Sequence, residues 1–198
     1  MYTLLKPLSV RQELLKRKIP IFTIQEFERL FNNPKSKTKY FLENMAKKEL
    51  FLRLKKGLYA IKTDLPSEEV IANRLYKPSY LSFEYVLAYY NILPEMPYTI
   101  TSATTKPTRI FTIAEKTFIF STIKNEAYTG YIALKRGGQL ILIAEPEKAL
   151  VDYLYFVSLN KKPKNDRLDI KSLNKGKILK YTKLYNRKKL TKLVKELL

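Results

Sequence analysis

Apolar positions recur with helical spacing through the first fifty residues, then at a spacing of two further along. The opening segment predicts a helix from Ser9 to Lys18, with Ser9 and Gln12 as a capping pair and Leu14 and Leu15 turned inward. Ile21 and Phe22 precede a second capping box, Thr23 with Glu26, and Phe27, Leu30 and Phe31 continue at helical spacing. Asn32-Asn33-Pro34 stops that helix, since Asn favours turns and Pro cannot extend a helix. A third helix is predicted from about Ser36 to Lys48. At 100° per residue it gathers Thr38, Phe41, Leu42, Met45 and Ala46 on one face and Lys37, Tyr40, Asn44 and Lys47 on the other. Leu50–Leu54 and Leu58–Ile61, joined by Lys55-Lys56-Gly57, read as a β-hairpin with a basic tip.

After a linker at residues 62–66, Ser67 caps a helix to Leu75, Pro78-Ser79 breaks the chain, and Ser82 caps a helix over Phe83–Asn91. Alternation then predicts strands at Tyr98–Ala103, Arg109–Thr112, Phe118–Thr122, Tyr128–Leu134 and Leu140–Ile143, with a Gly137-Gly138 turn. Pro146 opens a helix with an apolar face of Ala149, Leu150, Tyr153, Leu154 and Val157. One or two helices follow Pro163. The last sets Leu190, Leu193, Val194 and Leu197 inward and Lys188, Lys192 and Lys195 outward. The pattern is α+β: an N-terminal winged helix-turn-helix over residues 1–62, then a mixed α/β domain over 67–198 with a basic helical tail.

Charge sharpens this picture. The chain of 198 residues has a formal net charge of +20. Residues 1–62 carry 15 Lys/Arg against 5 Asp/Glu, residues 63–159 carry 9 against 10, and residues 160–198 carry 14 against 3. Two basic ends flank a neutral middle, a distribution that points to a polyanionic partner rather than to a uniform codon bias. On the third helix the polar stripe suits base edges and phosphates: Ser36, Lys37, Lys39, Tyr40, Asn44 and Lys47 for the groove, Arg53, Lys55 and Lys56 on the hairpin for the backbone. Lys188, Lys192 and Lys195 form a candidate second nucleic-acid or antitoxin surface.

The chain has no Cys and no His, which excludes disulfides, Cys/His zinc sites, thiol nucleophiles and a histidine base. No signal peptide is apparent and no apolar run is long enough for a bilayer, so a cytoplasmic protein without membrane contact is expected. Glu145, Glu147 and Asp152 could in principle hold Mg²⁺ for a nuclease. Helix capping accounts for the first two, and Asp152 stands four residues from Lys148. No catalytic residue, cofactor or metal is therefore expected.

Three blocks carry a resemblance. Arg53-Leu54-Lys55-Lys56-Gly57-Leu58-Tyr59-Ala60, then Pro78-Ser79-Tyr80-Leu81-Ser82-Phe83-Glu84-Tyr85-Val86-Leu87, then Ala144-Glu145-Pro146-Glu147-Lys148-Ala149-Leu150-Val151-Asp152-Tyr153-Leu154 occur in order around a β-rich segment. Together they resemble the AbiEi-type abortive-infection antitoxins, also described as transcriptional regulators of viral defence systems. The resemblance spans residues 10–160, and the tail after Asn160 is not matched. It implies a non-enzymatic type IV antitoxin that represses its own operon through inverted repeats in double-stranded DNA. It also implies that the C-terminal domain counteracts a nucleotidyltransferase toxin without forming a stable complex. Alternatives from the residues are an adaptor that binds a protein through the C-terminal domain, or a metal-dependent nuclease.

Overall fold

A computed structural model describes residues 5–198, which divide into two units between Ser67 and Glu68. With 44% helix and 23% strand the chain is α+β.

In the first unit, α1 spans Pro7–Lys16, β1 Ile21–Thr23, α2 Ile24–Phe31, α3 Lys35–Lys47, β2 Phe51–Lys55 and β3 Leu58–Ile61. Helix α1 begins two residues before Ser9, because Pro7 supplies the fixed φ of a first helical residue and Lys6 takes the extended capping position. Ser9 therefore lies inside the helix rather than capping it. The second capping box forms as read: the Glu26 amide donates to Thr23 Oγ1 at 3.1 Å and the Thr23 amide to Glu26 Oε2 at 2.6 Å. Asn32 then ends α2 in the left-handed conformation, at φ 45°.

The hairpin is present, with Gly57 at φ +79° in its turn and a register shift between Arg53 and Lys55. Strand β1 was not apparent from the pattern. It pairs antiparallel with β3, making a three-stranded sheet ordered β1-β3-β2. Val10, Leu14, Phe22, Phe27, Leu42, Met45, Phe51, Tyr59 and Ile61 make the core, where Phe22 meets Phe51 edge-on at 5.2 Å. The segment read as a linker is partly ordered onto this unit. Lys62–Asp64 is a 3₁₀ turn, and Arg11 grips Asp64 Oδ2 through Nε at 2.9 Å and Nη2 at 2.6 Å.

In the second unit, α4 is Glu68–Leu75, β4 Ser79–Leu81, α5 Phe83–Tyr89, β5 Ile100–Thr104, β6 Arg109–Ile113, β7 Lys116–Thr122, β8 Tyr131–Arg136 and β9 Gln139–Ala144. Three helices follow: α6 Pro146–Ser158, α7 Lys175–Leu184 and α8 Lys188–Leu197. The six strands are ordered β6-β7-β5-β4-β9-β8. Pairs β5/β7 and β4/β9 run parallel, and the remaining neighbours run antiparallel.

Here the sequence reading is corrected at three places. Ser79–Leu81 does not break the chain but forms β4, a strand in the middle of the sheet, buried along its whole length and too short to show a period of two. Residues 125–127 form a 3₁₀ turn, so β8 starts at Tyr131 rather than Tyr128. Helix α5 ends at Tyr89, and Asn91 is left-handed at φ 57°. Helix α6 packs against α5, α7 and α8, and Glu147–Leu154 is buried throughout.

Candidate nucleic-acid interface

Helix α3 divides by face as its spacing requires. Thr38, Leu42 and Met45 are buried, while Ser36, Lys37, Lys39, Tyr40 and Lys47 are exposed and Asn44 is half-buried. Tyr40, at 74% exposure, is a large aromatic ring presented to solvent. A core-forming role would have buried it. Glu43 is the one acid on this helix, and its carboxylate stands 4.0 Å from Lys39 Nζ, a separation that leaves the stripe predominantly cationic.

Helix α3 packs on β2, the first strand of the hairpin. On that hairpin Arg53 and Lys56 are exposed and Lys55 is half-buried. The junction is pinned by Lys62 Nζ donating to Glu49 Oε1 at 2.6 Å, which holds the Glu49 carboxyl below its ordinary pKa. The structure thus gathers the α3 residues on one helix face and the three hairpin cations on the adjoining strand and turn.

Lys188, Lys192 and Lys195 also come together. They line an open cleft of about 780 Å³ at the α7–α8 elbow, where Lys183 and Arg187 join them. Arg187 is held in place by donating to Ser158 Oγ and to the Ser158 carbonyl, both at 3.0 Å. The sequence reading missed Lys183 and Arg187 because α7 was not delimited, although the 3.6-residue spacing of Ile178, Thr182 and Tyr185 would have oriented it.

The three carboxylates of the nuclease reading have separate partners. Glu145 accepts from Lys177 Nζ at 3.0 Å and Tyr181 Oη at 2.5 Å, and these donors lower its pKa, the tyrosine most. Glu147 accepts the Asn174 amide at 3.1 Å. Asp152 is fully buried and accepts from Lys148 Nζ, from Tyr80 Oη at 2.9 Å, from Ser82 Oγ at 2.7 Å and from Tyr185 Oη at 2.6 Å. Ser82 stands at the α5 cap position, yet its hydroxyl serves Asp152 rather than the helix. Burial pushes the Lys148 ammonium pKa down against the pull of Asp152, and pushes the Tyr80 and Tyr185 phenols well up. Among the described residues no group of three or more Asp or Glu side chains could hold a metal ion.

The chain matches no protein-family model, and no curated protein shows significant similarity to it. No helix among the described residues is long and apolar enough to cross a membrane.

Proposed function

We propose that this chain is a DNA-binding antitoxin, its first unit a winged helix-turn-helix that represses its own operon. The observation that carries the reading is the α3 surface: Ser36, Lys37, Lys39, Tyr40 and Lys47 are exposed on a helix whose opposite face is core, and Arg53 and Lys56 are exposed on the hairpin that follows. An exposed helix of this size fits the major groove, and the hairpin cations lie where phosphates would run. The resemblance to AbiEi-type antitoxins supports the second half of the proposal. On that reading the second unit counteracts a nucleotidyltransferase toxin in the cytoplasm without a stable complex.

The test is a polarisation titration of the full chain with DNA upstream of its own gene and with scrambled DNA, at several salt concentrations. Neutralising about 6 phosphates gives a log–log slope near −5. Asn44→Ala should relax preference at one base position, at a cost of about 1–3 kcal/mol. Equal affinity for both DNAs, or a slope near zero, refutes the proposal.

A further inference from the structure

The charge of the second unit is laid on its C-terminal segment: residues 160–198 carry 14 Lys/Arg against 3 Asp/Glu, while residues 63–159 carry 9 against 10. The open cleft of about 780 Å³ at the α7–α8 elbow concentrates it. Lys183 from the end of α7 and Lys188, Lys192 and Lys195 from α8 are exposed at its wall, with Arg187 between them. Lys188, Lys192 and Lys195 fall at i, i+4 and i+7, so they share one helix face and span about 10 Å of its axis at about 1.5 Å per residue. Glu196 is the one acid in the lining, and it stands 3.9 Å from Lys192 Nζ. Among the described residues no carboxylate comes within ion-pair distance of Lys183, Lys188 or Lys195.

The elbow is a packed surface rather than a loose tail. Arg187 donates to Ser158 Oγ and to the Ser158 carbonyl, both at 3.0 Å, which ties the start of α8 to the end of α6. Tyr185 is fully buried and stacks on Tyr155 with centroids 4.2 Å apart, and Leu190 and Val194 bury the other face of α8. Helix α7 is held in turn by Lys177 and Tyr181, which both donate to Glu145. The backbone that carries the cations is therefore set before a ligand arrives, and binding need order only the lysine side chains.

The composition of the cleft selects among polyanions. No aromatic residue lines it, whereas single-stranded nucleic acid is held by bases stacked on aromatic rings. No Leu, Ile, Val or Met lines it either, although the centre of a protein–protein interface is apolar and aromatic. Cations spread along about 10 Å of open wall suit a run of phosphates better than one enclosed anion. We propose that the α7–α8 cleft is a second nucleic-acid site, which grips the phosphate backbone of a double helix without reading its sequence. Duplex DNA and duplex RNA offer the same chemistry. The site lies wholly within the second unit and does not rest on operator binding by the first.

Two measurements on the full chain test it, both with short duplexes of arbitrary sequence. Amine acylation read by mass spectrometry, with and without duplex, should show Lys183, Lys188, Lys192 and Lys195 losing reactivity in the complex. Lys124, Lys135 and Lys171, exposed elsewhere in the second unit, should react unchanged. In a polarisation titration across salt concentrations, Lys188→Gln, Lys192→Gln and Lys195→Gln together should flatten the log–log slope by about 2–3 units and weaken binding by about tenfold or more at low salt. Lys124→Gln, Lys135→Gln and Lys171→Gln together lower the net charge equally and should change the slope by less than about one unit.

Cleft lysines that stay reactive under saturating duplex overturn the proposal, as do equal slope losses for the two triple variants, which would leave only the diffuse field of the net charge. Stronger protection of the cleft by a single strand than by either duplex overturns it too, as does displacement of duplex by poly-glutamate as effective as by unlabelled duplex. Stronger protection by duplex DNA assigns DNA as the occupant, stronger protection by duplex RNA assigns RNA, and equal protection assigns the backbone common to both. Failure of the operator reading shows separately, as DNA from upstream of the gene that protects the cleft lysines and leaves Lys39, Lys47 and Lys56 reactive.

Discussion

Replacing Asp152 by alanine removes the common acceptor of Lys148, Tyr80, Ser82 and Tyr185 in one step. The Lys148 and Asp152 side chains are both fully buried. Breaking a buried ion pair from one side costs about 3–5 kcal/mol, since the surviving charge has no counterion. Each hydroxyl left without its acceptor adds about 1 kcal/mol. Against this, burial already depresses the Lys148 pKa, so the lysine can discharge at about 1.4 kcal/mol per unit between its folded pKa and the ambient pH.

The loss at pH 7 is about 6–8 kcal/mol if Lys148 stays charged and falls toward the about 3 kcal/mol of the three hydroxyls as it discharges, a large part of the about 5–15 kcal/mol that holds a typical domain together. Urea unfolding followed by circular dichroism should show the midpoint falling by about 1.5 M or more for a slope near 2 kcal/mol/M. The pH dependence supplies an independent readout. Without Asp152 the folded-state pKa of Lys148 drops further below its ordinary value of 10.5, so the unfolded chain binds more protons than the folded one across a wider window. Stability of the variant therefore rises with pH across that window, and its deficit relative to the wild type narrows as pH climbs toward the ordinary lysine value of 10.5. A loss under about 1 kcal/mol at pH 7, or a deficit that widens with pH, refutes the reasoning.

Three further outcomes are expected. Lys55→Ala with Lys56→Ala should flatten the salt slope of DNA binding by about one unit per lost phosphate contact while sparing sequence preference, and an unchanged slope in the titration counts against a hairpin–backbone contact. Gly130→Ala should lower stability by about 2–3 kcal/mol in urea unfolding, because Gly130 sits at φ +73° and a Cβ there would stand 2.7 Å from the Tyr181 ring; a neutral result would mean that the loop moves aside. Glu145, held below its ordinary pKa by Tyr181 and Lys177, contributes stability that is present above the ordinary carboxylate value of 4.5 and is lost as pH falls through the folded pKa. Glu145→Gln should remove that part of the acid dependence, and identical pH–stability curves for variant and wild type would contradict it.

What the amino-acid order determined by itself is what local physics decides. The Thr23–Glu26 box, the left-handed stop at Asn32, the two faces of α3, the turn at Gly57 and the opening of α6 at Pro146 each depend on residues a few positions apart. The exposed stripe that carries the functional proposal was legible for the same reason: helical periodicity alone separates Lys37, Tyr40 and Lys47 from Thr38, Leu42 and Met45.

Tertiary structure decided the rest. Strands β1 and β4 hold three residues each, too few for a period to show, and become strands only through partners elsewhere in the chain. Asp152 finds Tyr80 and Ser82 at separations of 72 and 70 residues, so what reads as an isolated helix acid becomes the hub of a buried network. Arg74, Tyr131 and Leu140 likewise come to line one groove of the second unit only once the sheet is assembled. Short-range sequence pattern carries the torsional and periodic preferences of single elements, whereas contacts closed over long loops depend on which elements pair, and that is settled by burial and by hydrogen bonding across the whole unit.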